Sequence, residues 1–183
     1  LEQTSGLMIV TGPTGSGKTS TLYAAIAALN CAERHIITIE NPVEYNLPGV
    51  NQIAVNNASG LSFNAALRAS LRQDPDVILI GEIRDVDTAA IAIEAALTGH
   101  LVLTTLHTRN AWQAIVRLKQ LGIAADLISS SLRSVTAQRL CRKLCVKCAG
   151  VGCNLCVLGY SGRAGVFEYL PMQQAIQLFL MST

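Results

Sequence analysis

Gly12-Pro13-Thr14-Gly15-Ser16-Gly17-Lys18-Thr19 is the stretch that decides the fold of this chain. It matches G-x-x-x-x-G-K-[ST] in full, and its surroundings fit the motif. An apolar run, Gly6 to Gly12, reads as a strand leading into it, and the spacing after it predicts a helix over 18–29. The glycines let successive backbone N–H groups turn inward around a β-phosphate, and the helix N-terminus adds partial positive charge. Lys18 is expected to reach the β- and γ-phosphates and the Thr19 hydroxyl to hold Mg²⁺, with Ser20 next along the nucleotide. The expected ligand is ATP or ADP.

Strand and helix signals alternate after this loop. His35 to Glu40 is an apolar strand stopped by Asn41-Pro42, because proline removes a donor and restricts the residue before it. Val50 to Val55 reads as another strand, and Phe63 to Arg72 as a helix with Phe63, Leu67 and Leu71 on one face. Asp76 to Gly81 encloses Val77-Ile78-Leu79-Ile80, the continuous apolar run of a parallel strand covered on both sides. A buried helix containing Ala89 to Leu97, a strand Leu101 to Leu106 and a helix Ala111 to Leu121 follow. This alternation predicts an α/β fold, a doubly wound and mostly parallel sheet. Beyond it the reading is a helix over about Asp126 to Leu140, a cysteine segment, and a tail from Tyr160 to Leu170 ending in a short helix. Residues 1–140 are thus read as the core and 141–158 as a small cysteine knuckle. Residues 159–183 are read as a hairpin and helix packing on the core within the same domain.

Composition narrows the setting. The chain has 183 residues, half of them apolar, which is enough for one sizeable core. Mean hydropathy is high at +0.38, yet no apolar run reaches the roughly 18 residues that span a bilayer. The opening Leu1-Glu2-Gln3 carries no basic leader and reads as a cut within a longer protein. The net charge is +2, with basic and acidic residues interspersed, so no stripe of the kind duplex DNA demands is present. The expectation is a cytoplasmic protein with no nucleic-acid partner.

Three residues emerge where strands leave the sheet, the edge at which ligands bind in such folds. Glu82 ends Ile78-Leu79-Ile80-Gly81-Glu82 and is the expected carboxylate for Mg²⁺ and its water. Glu40 ends the strand before Asn41-Pro42, with Glu44 in the loop after it; either could polarise the attacking water, and Glu40 lies nearer the strand end. His107 ends Leu101 to Leu106, where an imidazole could sense a γ-phosphate or simply cap the strand.

Four of the six cysteines form two C-x-x-C pairs, Cys145/Cys148 and Cys153/Cys156. Two such pairs complete a tetrahedral Zn²⁺ site, the alternative being four reduced, metal-free thiols. Only Ala149-Gly150-Val151-Gly152 separates the pairs, and its glycines make a tight reversal feasible. Arg139, Arg142, Lys143 and Lys147 nearby could offset thiolate charge or form a solvated basic face. Cys31 and Cys141 are read as small buried hydrophobes.

Taken together, these residues resemble one family, the motor ATPases of type II secretion and type IV pilus assembly. Leu71 to Asp85 is similar to the family signature over its whole length, Thr38 to Glu44 to its Asp box, and Thr98 to Thr108 to its His box. With the phosphate loop, the matched motifs run over roughly residues 6 to 170. The resemblance implies a RecA-like P-loop NTPase that hydrolyses ATP, with Glu40 and His107 joining Glu82 as site residues. It also implies a hexameric ring, docked peripherally on a platform protein of the inner membrane and completed by an N-terminal domain that supplies key arginines. Arg72, Arg84 and Arg109 are the internal candidates for that part. Assembly and secretion members carry a four-cysteine element that retraction motors lack. Two departures stand out: Asn41 replaces the acid of the Asp box, and Arg109 stands where the His box has Asn. The alternatives from other classes are a DNA translocase on the same fold and a nucleotide-binding scaffold without hydrolysis.

Overall fold

The computed structural model describes residues 4–56, 58 and 60–181, so Leu1-Glu2-Gln3 lies outside it. Seven strands form one sheet: β1 Gly6–Thr11, β2 Ile36–Glu40, β3 Asn51–Ala54, β4 Val77–Ile80, β5 Leu101–Leu106, β6 Leu132–Leu144 and β7 Tyr160–Pro171. Their order is β3-β2-β4-β5-β1-β6-β7. All neighbours are parallel except β7, which runs antiparallel to β6.

Alternation within the strands separates two cores. Val77 and Leu79 of β4 face α1 (Lys18–Leu29), together with Leu101 and Leu103 of β5 and Val10 of β1. Ile78, Ile80, Val102, Leu7 and Ile9 face the opposite way. That second face is covered by α2 (Phe63–Ser70), α3 (Val86–Leu97), α4 (Ala111–Gln120) and α5 (Ala125–Ser131), with α6 (Gln174–Met181) against α5. Every residue of β2, β4 and β5 is buried, as parallel strands covered on both faces require. The doubly wound reading is therefore correct. The helix boundaries follow local capping: the side chains of Ser62, Asp85 and Asn110 accept the orphan N–H groups of Ala65, Thr88 and Gln113.

One long element differs from expectation. The helix read over Asp126 to Leu140 stops at Ser131, and Leu132 opens a 13-residue strand. Leu132, Val135 and Ala137 are buried and sit at spacings that suit helix or strand alike. The open edge of β1 decides between them. Leu132 and Ser134 to Ala137 pair with Leu7 to Thr11, satisfying backbone groups that a helix would have left bare. The unpaired cysteines differ too: Cys31 follows the end of α1 and Cys141 sits where β6 leaves the core, and both are exposed.

Candidate active site and metal centre

The phosphate loop follows β1 and turns directly into α1. Gly12 has φ 146°, and a Cβ there would lie 2.3 Å from the carbonyl oxygen of Gln138. Gly17 caps α1 in the left-handed region at φ 86°, with the Gln138 side-chain amide 2.9 Å from where its Cβ would be. Both have a positive φ that other residues rarely adopt, and at Gly12 a side chain would also collide with fixed backbone. Gln138 of β6 also bonds the loop directly: its Nε2 donates to Ser16 O at 2.7 Å, and its Oε1 accepts from Thr21 Oγ1 at 2.7 Å. The misread helix hid this residue from sequence reasoning.

Lys18 is nearly buried, and its ammonium donates to Gly12 O at 2.9 Å and Pro13 O at 3.1 Å. An ammonium has three donors, so one remains for a phosphate oxygen. Burial holds its pKa below the ordinary lysine value, partly opposed by the charge of Glu82.

Glu82 and His107 come together. Gly81 is locked between two strands: its N–H donates to Ile39 O at 2.8 Å, and its carbonyl accepts from Thr105 Oγ1 at 2.7 Å. Glu82 therefore leaves β4 beside the end of β5, with its Oε2 3.4 Å from His107 Nε2 and its Oε1 2.6 Å from Arg84. That contact raises the Arg84 pKa. Thr11 ties the end of β1 to the same place, donating to Leu106 O at 2.9 Å and accepting from Thr108 N at 2.9 Å. His107 is thereby held between two fixed backbone points.

Glu40 is set differently from Glu44. Only 3% of its surface is exposed, and three donors hold its carboxylate: the Tyr23 hydroxyl on Oε2, Thr38 Oγ1 on Oε1 at 2.6 Å, and Gln52 Nε2 on Oε1 at 3.2 Å. A carboxylate offers about four lone-pair positions, so little acceptor capacity remains. Burial and the bond to Glu40 push the Tyr23 hydroxyl up to about 12. The Glu44 carboxylate, by contrast, has no hydrogen-bond or ion-pair partner among the described residues. Its backbone N–H donates to the Tyr23 hydroxyl at 3.3 Å, which anchors the loop. Tyr23 gave no signal in the sequence, because an aromatic at helical spacing reads as core.

A cleft of about 570 Å³ joins these groups, lined by Lys18, Thr19, Glu40, Glu44, Glu82 and His107 among others. Thr14, Gly15, Gly17 and Ser20 of the loop and Asn41 also line it, whereas Gly12, Pro13 and Ser16 do not. Gly12 and Ser16 are buried beneath the loop, whereas Pro13 is exposed and lines a neighbouring cavity with His107.

The four cysteines converge at the far end of β6. Sγ separations are 3.9 Å for Cys145–Cys153 and 3.7 Å for both Cys148–Cys156 and Cys153–Cys156, and all four sulfurs lie within 4.8 Å of one another. Tetrahedral bonds of about 2.3 Å to zinc set sulfur–sulfur edges of about 3.8 Å, so the donor set fits that ion. The short loop closes because Gly159 packs on Gly150, where a Cβ would lie 2.1 Å from the Gly150 carbonyl oxygen. Gly152 N–H donates to Cys148 Sγ at 3.2 Å; this and a second backbone N–H, from Gly150, bring the Cys148 thiol down to about 7.

Comparisons with known proteins agree with this geometry. The family model for "Type II/IV secretion system protein" matches residues 1–183. The type II secretion system protein HxcR of Pseudomonas aeruginosa is 52% identical over 186 residues, covering 97% of this chain and 40% of its own. The type IV pilus assembly ATPase PilB of the same organism is 44% identical over 208 residues, covering 99% of this chain and 37% of its own. A crystal structure of the pilus retraction motor PilT with bound ADP superposes with a TM-score of 0.83 at 38% identity, over 98% of this chain and 51% of its own. The chain spans about 40% of the length of the curated relatives it matches.

Proposed function

Because the chain belongs to the type II/IV secretion system protein family, we propose that it is the ATP-hydrolysing part of a ring-forming motor that powers type II secretion or type IV pilus assembly. The observation that carries this reading is one cleft shared by the phosphate-loop lysine, Glu82 and His107. Lys18 donates its remaining N–H to a phosphate oxygen and sets its positive charge beside the β- and γ-phosphates. The Thr19 hydroxyl and Glu82 would hold Mg²⁺, which would offset the negative charge of the phosphates. Water is oriented by Glu44, whose carboxylate is open to the cleft. Glu40, expected from sequence to polarise that water, has most of its acceptor capacity taken by Tyr23, Thr38 and Gln52 and acts as the post that holds the wall. His107, with its Nε2 3.4 Å from Glu82, senses whether the γ-phosphate is present.

The four cysteines hold one Zn²⁺, on the strength of their sulfur spacing. The working form is a hexamer that includes an N-terminal domain, seated at the cytoplasmic face of an inner-membrane platform protein, with no nucleic acid bound. No helix among the described residues is long and apolar enough to cross a membrane, which suits peripheral docking.

Calorimetric titration with Mg·ADP tests the nucleotide assignment. The chain should bind, and Lys18→Ala should abolish binding; equal affinity in the variant overturns the phosphate-loop role. Phosphate release tests the ring: the chain alone should turn over slowly as a monomer, and joining the upstream region should raise oligomerisation and turnover together. Full-rate hydrolysis by the isolated monomer would rule out a shared active site.

A further inference from the structure

We propose that the cysteine knuckle is a membrane-contacting tip: its exposed valines and leucines enter the headgroup layer of a bilayer while the basic residues around it hold anionic lipid phosphates. This contact is made with lipid directly and does not depend on the nucleotide site. The knuckle carries apolar residues that its own fold does not use. The four sulfurs converge within 4.8 Å, and Gly159 packed on Gly150 closes the loop. Around that centre Val146 and Val151 are 99% and 91% exposed, and Leu155, Val157 and Leu158 between 63% and 83%. Each lies within two residues of a clustered cysteine, so the five crowd one small tip. Single exposed apolar residues are ordinary, but a cluster of them marks a contact surface.

The sheet presents this tip at a distance from the core. Pairing of β6 with β1 ends at Ala137, and beyond it β6 continues paired with β7. That two-stranded ribbon, from Gln138 to Leu144, is about 20 Å long, and the last four residues of β6 are exposed. The knuckle therefore stands clear of the buried layers, where a flat surface can reach it.

Charge selects the partner. Six of the chain's 14 basic residues and none of its 12 acidic residues fall between 127 and 167. Arg142, Lys143 and Arg163 sit on the ribbon and Lys147 in the knuckle, all exposed. Zn²⁺ held by four thiolates would carry a net charge of about −2, which these four outweigh. Such side chains lay their stems along apolar surface and bring their charges to headgroup phosphates. Protein interfaces are anchored chiefly by aromatic residues and arginine, whereas 143–159 contains no aromatic residue and no acid. An aliphatic tip above a basic collar suits an anionic lipid surface.

Vesicle flotation of the purified, reduced chain tests this, with phosphatidylcholine alone and with phosphatidylcholine carrying about one-third phosphatidylglycerol. Wild-type protein should float with the mixed vesicles, far less with phosphatidylcholine alone, and should be released as salt rises. The triple variant Val146→Ser/Val151→Ser/Leu158→Ser should lose affinity for mixed vesicles about ten-fold or more, and Lys143→Gln/Lys147→Gln should lose it to a similar extent. Both should keep the wild-type melting temperature and ADP affinity. Val151→Trp, which adds a reporter at the tip, should shift its emission to the blue on mixed vesicles. Wild-type protein that stays unbound overturns the proposal and gives the tip to a protein partner. Equal flotation of wild type and the triple serine variant, or an unshifted Val151→Trp spectrum on bound protein, overturns it as well.

Discussion

Gln138 Nε2 donates to the carbonyl of Ser16 at 2.7 Å, across 122 residues of sequence. The same side chain accepts from Thr21 in the first turn of α1, so β6 ties the middle of the phosphate loop to the start of the helix that follows it. A P-loop works by presenting backbone N–H groups in a preset curve, and a loop free to relax would have to be ordered by the ligand. The strand that carries the cysteine knuckle at its far end is thus also the strand that shapes the phosphate site.

Gln138→Leu should expose that dependence. One buried and one part-buried hydrogen bond go, leaving Ser16 O and Thr21 Oγ1 without this partner, which costs about 1 to 3 kcal/mol of stability. ADP affinity should fall with it. Gln138→Glu keeps an acceptor for Thr21 but sets a carboxylate against the Ser16 carbonyl, so it should bind ADP no better than the leucine variant. Wild-type ADP affinity in either variant, measured well below its melting temperature, would show that the loop holds its own shape.

The three glutamates of the cleft should separate kinetically in the full-length ring. Glu82→Gln and Glu44→Gln should each bind ADP and lose turnover by about 10² or more. Glu40→Gln should lose stability through the Tyr23 and Thr38 bonds, with turnover falling less steeply than in Glu44→Gln. A Glu44→Gln enzyme within a few-fold of wild type would return the water-orienting part to Glu40.

Tyr23 gives a pH signature. Burial and the hydrogen bond to Glu40 raise its pKa in the folded protein to about 12, above the ordinary tyrosine value of 10.0. The hydroxyl is therefore favoured in its neutral form by folding, and the unfolded chain releases the proton first. The resulting stabilisation is complete below pH 10 and is lost as pH rises from about 10 to 12. Urea unfolding of wild type and Tyr23→Phe at about pH 9, 10.5 and 11.5 should show the two curves converging with rising pH. A constant difference between them would mean that the hydroxyl does not carry the effect.

The knuckle should contain one zinc per chain, and chelation or Cys145→Ser or Cys153→Ser should lower the melting temperature through coupled metal binding and folding. Elemental analysis well below one zinc per reduced chain, or melting unchanged by chelator, would reject the metal. Arg142 stacked on Tyr160 ties the base of the knuckle to β7, so metal loss should disorder residues between 144 and 160 before the core.

Short-range chemistry wrote the legible part of this molecule into its residues. The phosphate loop could be read because its spacing states a backbone conformation and a helix start together. Glu82 could be placed because a buried parallel strand must end at the ligand edge; the same rule brought His107 to that edge, but its part there came from the family resemblance. The convergence of Cys145, Cys148, Cys153 and Cys156 followed from two local turns. Packing settled what depends on neighbours far away in the chain. The segment 132–144 satisfies both periodicities, and only the unpaired edge of β1 makes it a strand. Glu40 and Glu44 are equivalent acids in sequence, and only Tyr23, Thr38 and Gln52, brought in from α1, β2 and β3, close one and leave the other open. Gln138 reaches the phosphate loop, and Arg163 the cleft, solely because β6 and β7 extend the sheet past β1. A motif fixes the shape of its own backbone, but which lone pairs and charges stay free is set by the side chains that folding packs against it.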